Sequence, residues 1–146
     1  MKQDKDKICL YSGRFDRPHP GHIRTAQELG ARFGKVLVVV LNHAEQMFPV
    51  QYRAQILREI LENSKGTYEV VVNNLHFGQI SVDEFLKYDF DVYAAGNLSV
   101  LKHLEHAYFT SITATERRHI EFLYVAEKFS YNASTERLGR TIQDMA

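Results

Sequence analysis

Apolar residues along the chain gather in five short runs: Ile8–Tyr11, Val36–Leu41, Tyr68–Val72, Phe90–Ala95 and Glu121–Val125. Runs of this length, apolar without strict alternation, suit strands covered on both faces, as in a parallel sheet. The segments between them repeat their apolar positions with a helical period. Arg24–Phe33 places Ala26, Leu29, Gly30 and Phe33 on one face, and Val50–Asn63 does the same with Val50, Ala54, Leu57, Ile60 and Leu61, with Gly66 beyond it as a stop. Ser81–Lys87 and Ser99–Tyr108 each open on a serine suited to capping, and the tail after Ser134 reads as a last helix. Strands alternating with helices imply right-handed βαβ units. The expected fold is therefore α/β: a doubly wound, Rossmann-like parallel sheet of about five strands. No repeat or linker interrupts the pattern, so residues 1–146 read as a single domain.

In such sheets ligands bind at the carboxyl ends of the strands, where the strand order reverses. The loops that follow the strands are the places to look: Ser12–His22, Asn42–Pro49, Asn73–Gln79, Gly96–Leu98 and Ala126–Ala133.

Composition narrows the function classes. The 18 Lys+Arg balance the 18 Asp+Glu, so there is no basic surplus of the kind a nucleic-acid binder uses to displace counterions. A single cysteine, Cys9, permits neither an intrachain disulfide nor a CxxC metal site, and within the first strand it reads as buried and inert. The longest apolar run, Val36–Leu41, is far too short to cross a bilayer, and the polar stretch Met1–Lys7 is unlike a signal peptide. The expectation is a cytoplasmic protein with no nucleic-acid or membrane partner.

The first loop, Ser12-Gly13-Arg14-Phe15-Asp16-Arg17-Pro18-His19-Pro20-Gly21-His22, is neither a Walker A loop nor a G-x-G-x-x-G fingerprint. It carries two histidines three apart at a helix start, where backbone N–H groups and the positive end of the helix dipole suit phosphate oxygens. Imidazole donors there can stabilise charge that builds on phosphorus during in-line attack. Gly21 lets a nucleotide come close to the backbone. Other roles for the histidines are a zinc half-site, with His43 and His76 in neighbouring loops, or plain helix capping. Asp16 reads as a turn residue bonding its own backbone rather than as a Mg²⁺ ligand. His103 and His106 read as surface residues, and Tyr108 and Phe109 as core, with an acceptor pocket or subunit contact as the alternative.

A glycine followed by x-Phe-Asp and then H-x-G-H after the first strand resembles the signature of the nucleotidylyltransferase superfamily. Nearly the whole chain, about Ile8 to Gln143, is similar to the phosphopantetheine adenylyltransferase family. Val38–Asn42, then Phe48 and Tyr52-Arg53, look like its second strand, loop and helix start. Gly78 through Val82-Asp83 looks like its segment leading into the next helix, and Phe129–Tyr131 with Ser134-Thr135 like the turn that opens its last helix. The resemblance implies transfer of a nucleoside monophosphate from ATP, with Mg²⁺ held by the triphosphate rather than by protein side chains, to a phosphorylated small-molecule acceptor. The acceptor of that family is 4′-phosphopantetheine. It further implies His22 at the phosphate under attack and His19 beside the triphosphate. Nucleotide binding would fall to Gly13, Arg14, Phe15, Gly21, Gly96, Asn97, Ser134 and Thr135, and acceptor binding to Arg14 and Asn42. A homo-oligomer is expected.

Four features depart from the family pattern. Arg14 stands where a small hydroxyl residue is usual, Ala44–Gln46 lack the loop lysine, Ala95–Leu98 replace Arg-Gly-Leu-Arg, and Leu138 takes the place of a basic residue. Gly13-Arg14-Phe15 and Gly96-Asn97 resemble archaeal-type nicotinamide mononucleotide adenylyltransferases instead. These departures keep open a different acceptor (nicotinamide mononucleotide or, with CTP, a polyol or sugar phosphate) and a non-catalytic nucleotide-binding protein.

Overall fold

A computed structural model describes residues 2–42, 47–73, 82–111 and 118–125. The elements run β1 (Ile8–Gly13), α1 (Pro20–Arg32), β2 (Lys35–Leu41), α2 (Val50–Glu62), β3 (Tyr68–Asn73), α3 (Val82–Phe85), β4 (Val92–Ala95), α4 (Leu98–Ser111) and β5 (Glu121–Tyr124). All pairings are parallel, and the sheet order is β3-β2-β1-β4-β5. The chain winds outward from β1 through β2 to β3, then returns to the other side of β1 for β4. The order thus reverses between β1 and β4, where the carboxyl ends of two diverging strands leave a crevice.

Alternation along each strand separates two cores. Cys9 and Tyr11 of β1, with Val36, Val38 and Val40 of β2, pack against Ile23, Ala26 and Leu29 of α1 and Ala54, Leu57 and Leu61 of α2. Leu10 of β1 and Tyr93 of β4 face the other way, onto Phe85 of α3 and Leu101, Leu104 and Tyr108 of α4. Both faces of the central strands are therefore dry, and burial pushes the Cys9 thiol up to about 12. Tyr108 is fully buried, whereas Phe109 lies 45% exposed, so the core reading holds for only one of the pair.

Several boundaries differ from the sequence reading. Helix α1 starts at Pro20, within the histidine stretch expected to open it and ahead of the periodic run Arg24–Phe33, because proline without an N–H fits the first helical position. Ser12 and Gly13 belong to β1, which continues in register against Val39 and Val40. Strand β4 starts only at Val92; Phe90 precedes it, yet its ring is buried against Phe85 and Tyr93. Helix α3 is a single turn, Val82–Phe85, and the expected cap Ser81 lies outside the described residues. Helix α4 is capped by Asn97, one position before the helix, rather than by Ser99: Asn97 Oδ1 accepts the Val100 N–H at 3.1 Å.

Candidate active site

The first turn of α1 is built around its two histidines. His19 is the N-cap, in extended conformation at φ −132° and ψ 172°. The Gly21 N–H donates to His19 Nδ1 at 3.1 Å, and the His19 N–H donates to His22 Nδ1 at 3.2 Å. This is a reciprocal capping box in which imidazoles take the places of the usual hydroxyl and carboxylate. The two rings stack, with centroids 3.6 Å apart and planes 25° apart.

That geometry sets their chemistry. Each Nδ1 accepts an N–H, so each neutral ring carries its own proton on Nε2. Protonating either Nδ1 would set donor against donor. Burial holds His19 down to about 4, and burial together with neighbouring His19 holds His22 well below the usual histidine range. Both rings are neutral Nε2–H donors at pH 7. The capping and donor roles are therefore compatible, one nitrogen serving each. The expectation of free amides at this helix start is corrected at three positions: Pro20 has none to offer, and those of Gly21 and Ile23 are bonded to His19 Nδ1 and to its carbonyl.

The loop leading to His19 is tightly wound. Phe15 and Arg17 both sit at positive φ, 47° and 74°. The Phe15 ring is buried and meets Tyr11 and His22 edge-on, at centroid distances of 5.3 and 5.0 Å. A Cβ at Gly13 would lie 3.0 Å from the tip of that ring, which is why a glycine fits there. Arg14 is exposed and, among the described residues, its side chain has no ion-pair partner. Arg17 donates to Met47 Sδ at 3.5 Å and lies 6.0 Å from the Phe48 ring.

Asp16 reaches well beyond its own turn. Its carboxylate accepts the N–H groups of Met47 and Phe48 from the loop before α2, the second at 3.0 Å. It also lies 3.8 Å from Nε of Arg53, a fully buried arginine of α2. Sequence reasoning treated Arg53 only as part of a helix start. The signal was present in its position: it falls on the apolar stripe of α2 with Val50, Ala54 and Leu57, where a charge needs a buried partner.

At the reversal point Ser12 Oγ and Tyr93 Oη share a 2.6 Å hydrogen bond between β1 and β4, a contact with no sequence signal. Burial pushes the Tyr93 phenol up to about 12, with the Ser12 bond opposing, so it stays protonated. Asn42 continues from β2; its N–H donates to the Asn73 carbonyl at 3.0 Å, while its Oδ1 is buried without a hydrogen-bond partner among the described residues. Gly96 and Asn97 are exposed at the end of β4.

The fold thus brings His19, His22, Gly13, Arg14, Phe15 and Gly21 together at the end of β1, with Asn42 at the end of the adjacent strand and Gly96-Asn97 across the reversal point. Ser134 and Thr135 lie outside the described residues, as do His43, His76, Ala44–Gln46 and Leu138. His103 and His106 are exposed on α4. No cluster of three or more His, Cys, Asp or Glu side chains able to hold a metal occurs among the described residues. Likewise no described helix is long and apolar enough to cross a membrane.

Comparison with known proteins identifies the family. The cytidylyltransferase-like family model matches residues 10–138, from the middle of β1 to near the chain's end. The chain belongs to this family, within the nucleotidylyltransferase superfamily. Over 56 residues it is 41% identical to a phosphopantetheine adenylyltransferase of Natranaerobius thermophilus. That match covers 37% of this chain and 35% of the relative, so it spans about a third of the relative's length.

Proposed function

We propose that this protein is a nucleotidylyltransferase that moves the adenylyl group of ATP onto a phosphorylated small molecule, with 4′-phosphopantetheine the leading acceptor. A phosphate oxygen of the acceptor would attack the α-phosphorus, the bond to the β-phosphate would break, and pyrophosphate and dephospho-coenzyme A would leave. The observation that carries this reading is the pair of neutral imidazoles at the reversal point, each locked by its cap bond with the proton on Nε2. Such donors need no reorganisation as charge develops on the transferring phosphate. His22 is assigned to the phosphate under attack and His19 to the triphosphate. Gly13, Phe15, Gly21, Gly96, Asn97, Ser134 and Thr135 are assigned to the nucleotide. Arg14 and Asn42 face the acceptor in this reading; the unpartnered Asn42 Oδ1 would accept an N–H or O–H from it.

Mg²⁺ would enter on the triphosphate oxygens and neutralise their charge. The loop carboxylate, Asp16, is committed to backbone amides, so no protein ligand is assigned to the metal. A cytoplasmic location and a homo-oligomeric state belong to the same proposal; Leu98, Val100 and Phe109, each more than two-fifths exposed on α4, favour the latter.

One observation favours a second acceptor class. Exposed Arg14 in a Gly-Arg-Phe turn replaces a hydroxyl residue, and Gly96–Leu98 offer no guanidinium. Nicotinamide mononucleotide, or a polyol or sugar phosphate with CTP, is the alternative. The test is pyrophosphate release from ATP and CTP with Mg²⁺ over a panel of these phosphates. Release with ATP and 4′-phosphopantetheine, matched by dephospho-coenzyme A, is the expected result. Nucleotide binding without release from any acceptor would make this a non-catalytic member of the fold.

A further inference from the structure

Buried Arg53 joins three pieces of backbone that are separated along the chain. Its Nε donates to the Phe48 carbonyl at 2.9 Å, just before α2. Its Nη1 donates to the Leu41 carbonyl at 3.0 Å, at the end of β2, and to the Arg14 carbonyl in the loop after β1. Asp16, two residues further along that loop, lies 3.8 Å from Nε and reaches back to the amides of Met47 and Phe48. The loop is thus held at both Arg14 and Asp16 by the same short segment. Between and beside those anchors, Phe15 and Arg17 adopt a left-handed backbone that non-glycine residues keep only when their surroundings impose it. The imposed conformation has one direct product: the Phe15 ring is placed edge-on against His22, which in turn stacks on His19.

We infer that Arg53, together with Asp16, is a positioning residue for the histidine pair. It sets the loop carrying Arg14 and Phe15 against the end of β2 and so fixes where the two imidazoles and Arg14 stand. A guanidinium suits this task because its planar fork serves several carbonyls at once, whereas a lysine ammonium offers no such fixed geometry. Burial of Arg53 raises the stakes, since a guanidinium out of water depends on its acceptors staying in place.

The test compares wild type with Arg53→Lys and with Asp16→Asn, the second variant keeping the buried guanidinium in case the first fails to fold. Folding is checked by circular dichroism at the measurement temperature. The first readout is the ¹⁵N spectrum of the histidine rings, which reports tautomer and ring environment and needs no turnover. In wild type, His19 and His22 should give the pattern of an Nε2–H tautomer. In a folded variant those signals should shift toward averaging between tautomers. The second readout rests on the nucleotidyl-transfer reading: kcat should fall about 10- to 100-fold, as for a misplacement of the order of 1 Å, with the KM for ATP nearly unchanged. Unchanged histidine signals in a folded variant, or unchanged kcat where wild type turns over, would overturn the inference. A wild type with no turnover would count against the proposed function alone, and the spectra would still decide the role of Arg53.

Discussion

At the residue scale, each site histidine caps the helix through Nδ1 and, in the proposed function, donates through Nε2, and substitutions can separate the two. His22→Gln keeps a side-chain acceptor at the third helical position, where capping boxes commonly use Gln, and removes the imidazole. We expect it to hold its melting temperature near wild type while turnover falls about 100- to 1,000-fold, the effect of removing a donor aimed at transition-state charge. His22→Ala should show the same kinetic loss and also lose about 1 kcal/mol of capping stability. Steady-state kinetics and thermal melts on both variants check this; equal turnover in the glutamine variant and wild type would leave His22 a cap and nothing more. Arg14 admits a similar separation. Arg14→Lys keeps the charge but loses the bidentate fork, so the KM for the acceptor should rise more than that for ATP. Arg14→Thr should move preference toward 4′-phosphopantetheine. Kinetics with the acceptor varied at saturating ATP reads both.

At the element scale, the start of α1 is a pH-sensitive cap. Native His19 is depressed to about 4 and His22 also lies well below the usual histidine range, while the unfolded chain titrates near 6.5. Between those values the unfolded chain binds protons that the native rings refuse. The contribution is therefore complete above about 6.5 and is lost as pH falls toward 4. His19→Ser keeps an N-cap oxygen but has nothing to titrate there. Urea unfolding from pH 4 to 8 should show a shallower acid loss in this variant than in wild type. The opposite end of α1 makes a second prediction. A Cβ at Gly34, between α1 and β2, would collide with the Lys5 carbonyl, and the Gly34 N–H already donates to the Lys7 carbonyl at 3.0 Å. Gly34→Ala should cost about 1–3 kcal/mol through overpacking. Nucleotide binding should be unaffected, because this junction lies at the amino ends of the strands, away from the histidines. Chemical denaturation and a nucleotide titration on the same variant measure the two effects.

At the scale of the whole molecule, the charge balance matters. With 18 cationic and 18 anionic side chains there is no net charge to draw in a triphosphate, so under the proposed function selection would come from local geometry at the reversal point. We expect ATP with Mg²⁺ to raise the melting temperature more than CTP at equal concentration. Ligands that bind only the folded state stabilise it by mass action, so the ordering of the two shifts reports the ordering of affinities. A larger shift with CTP would redirect the donor assignment.

The five-stranded α/β architecture was legible in the apolar runs because a strand covered on both faces must be apolar throughout. The stretch from Gly13 to His22 was legible as a family signature because the motif is local: a strand end, a turn and a helix start within ten residues, with the cap geometry encoded by neighbours three apart. The sequence by itself therefore determined the layered fold, the position of the histidine pair and the family. What it left undetermined depends on residues distant along the chain. Asp16 reads locally as a turn carboxylate, yet it bonds amides some thirty residues on. Arg53 reads as one more helix arginine, yet it is fully buried and gathers carbonyls from three separate segments. Ser12 finds Tyr93 only because β4 returns beside β1. Even the protonation of the histidines follows from burial and from which nitrogen meets an amide. Local pattern encodes what neighbours along the chain do to one another; desolvation and long-range pairing exist only once the sheet has closed over them.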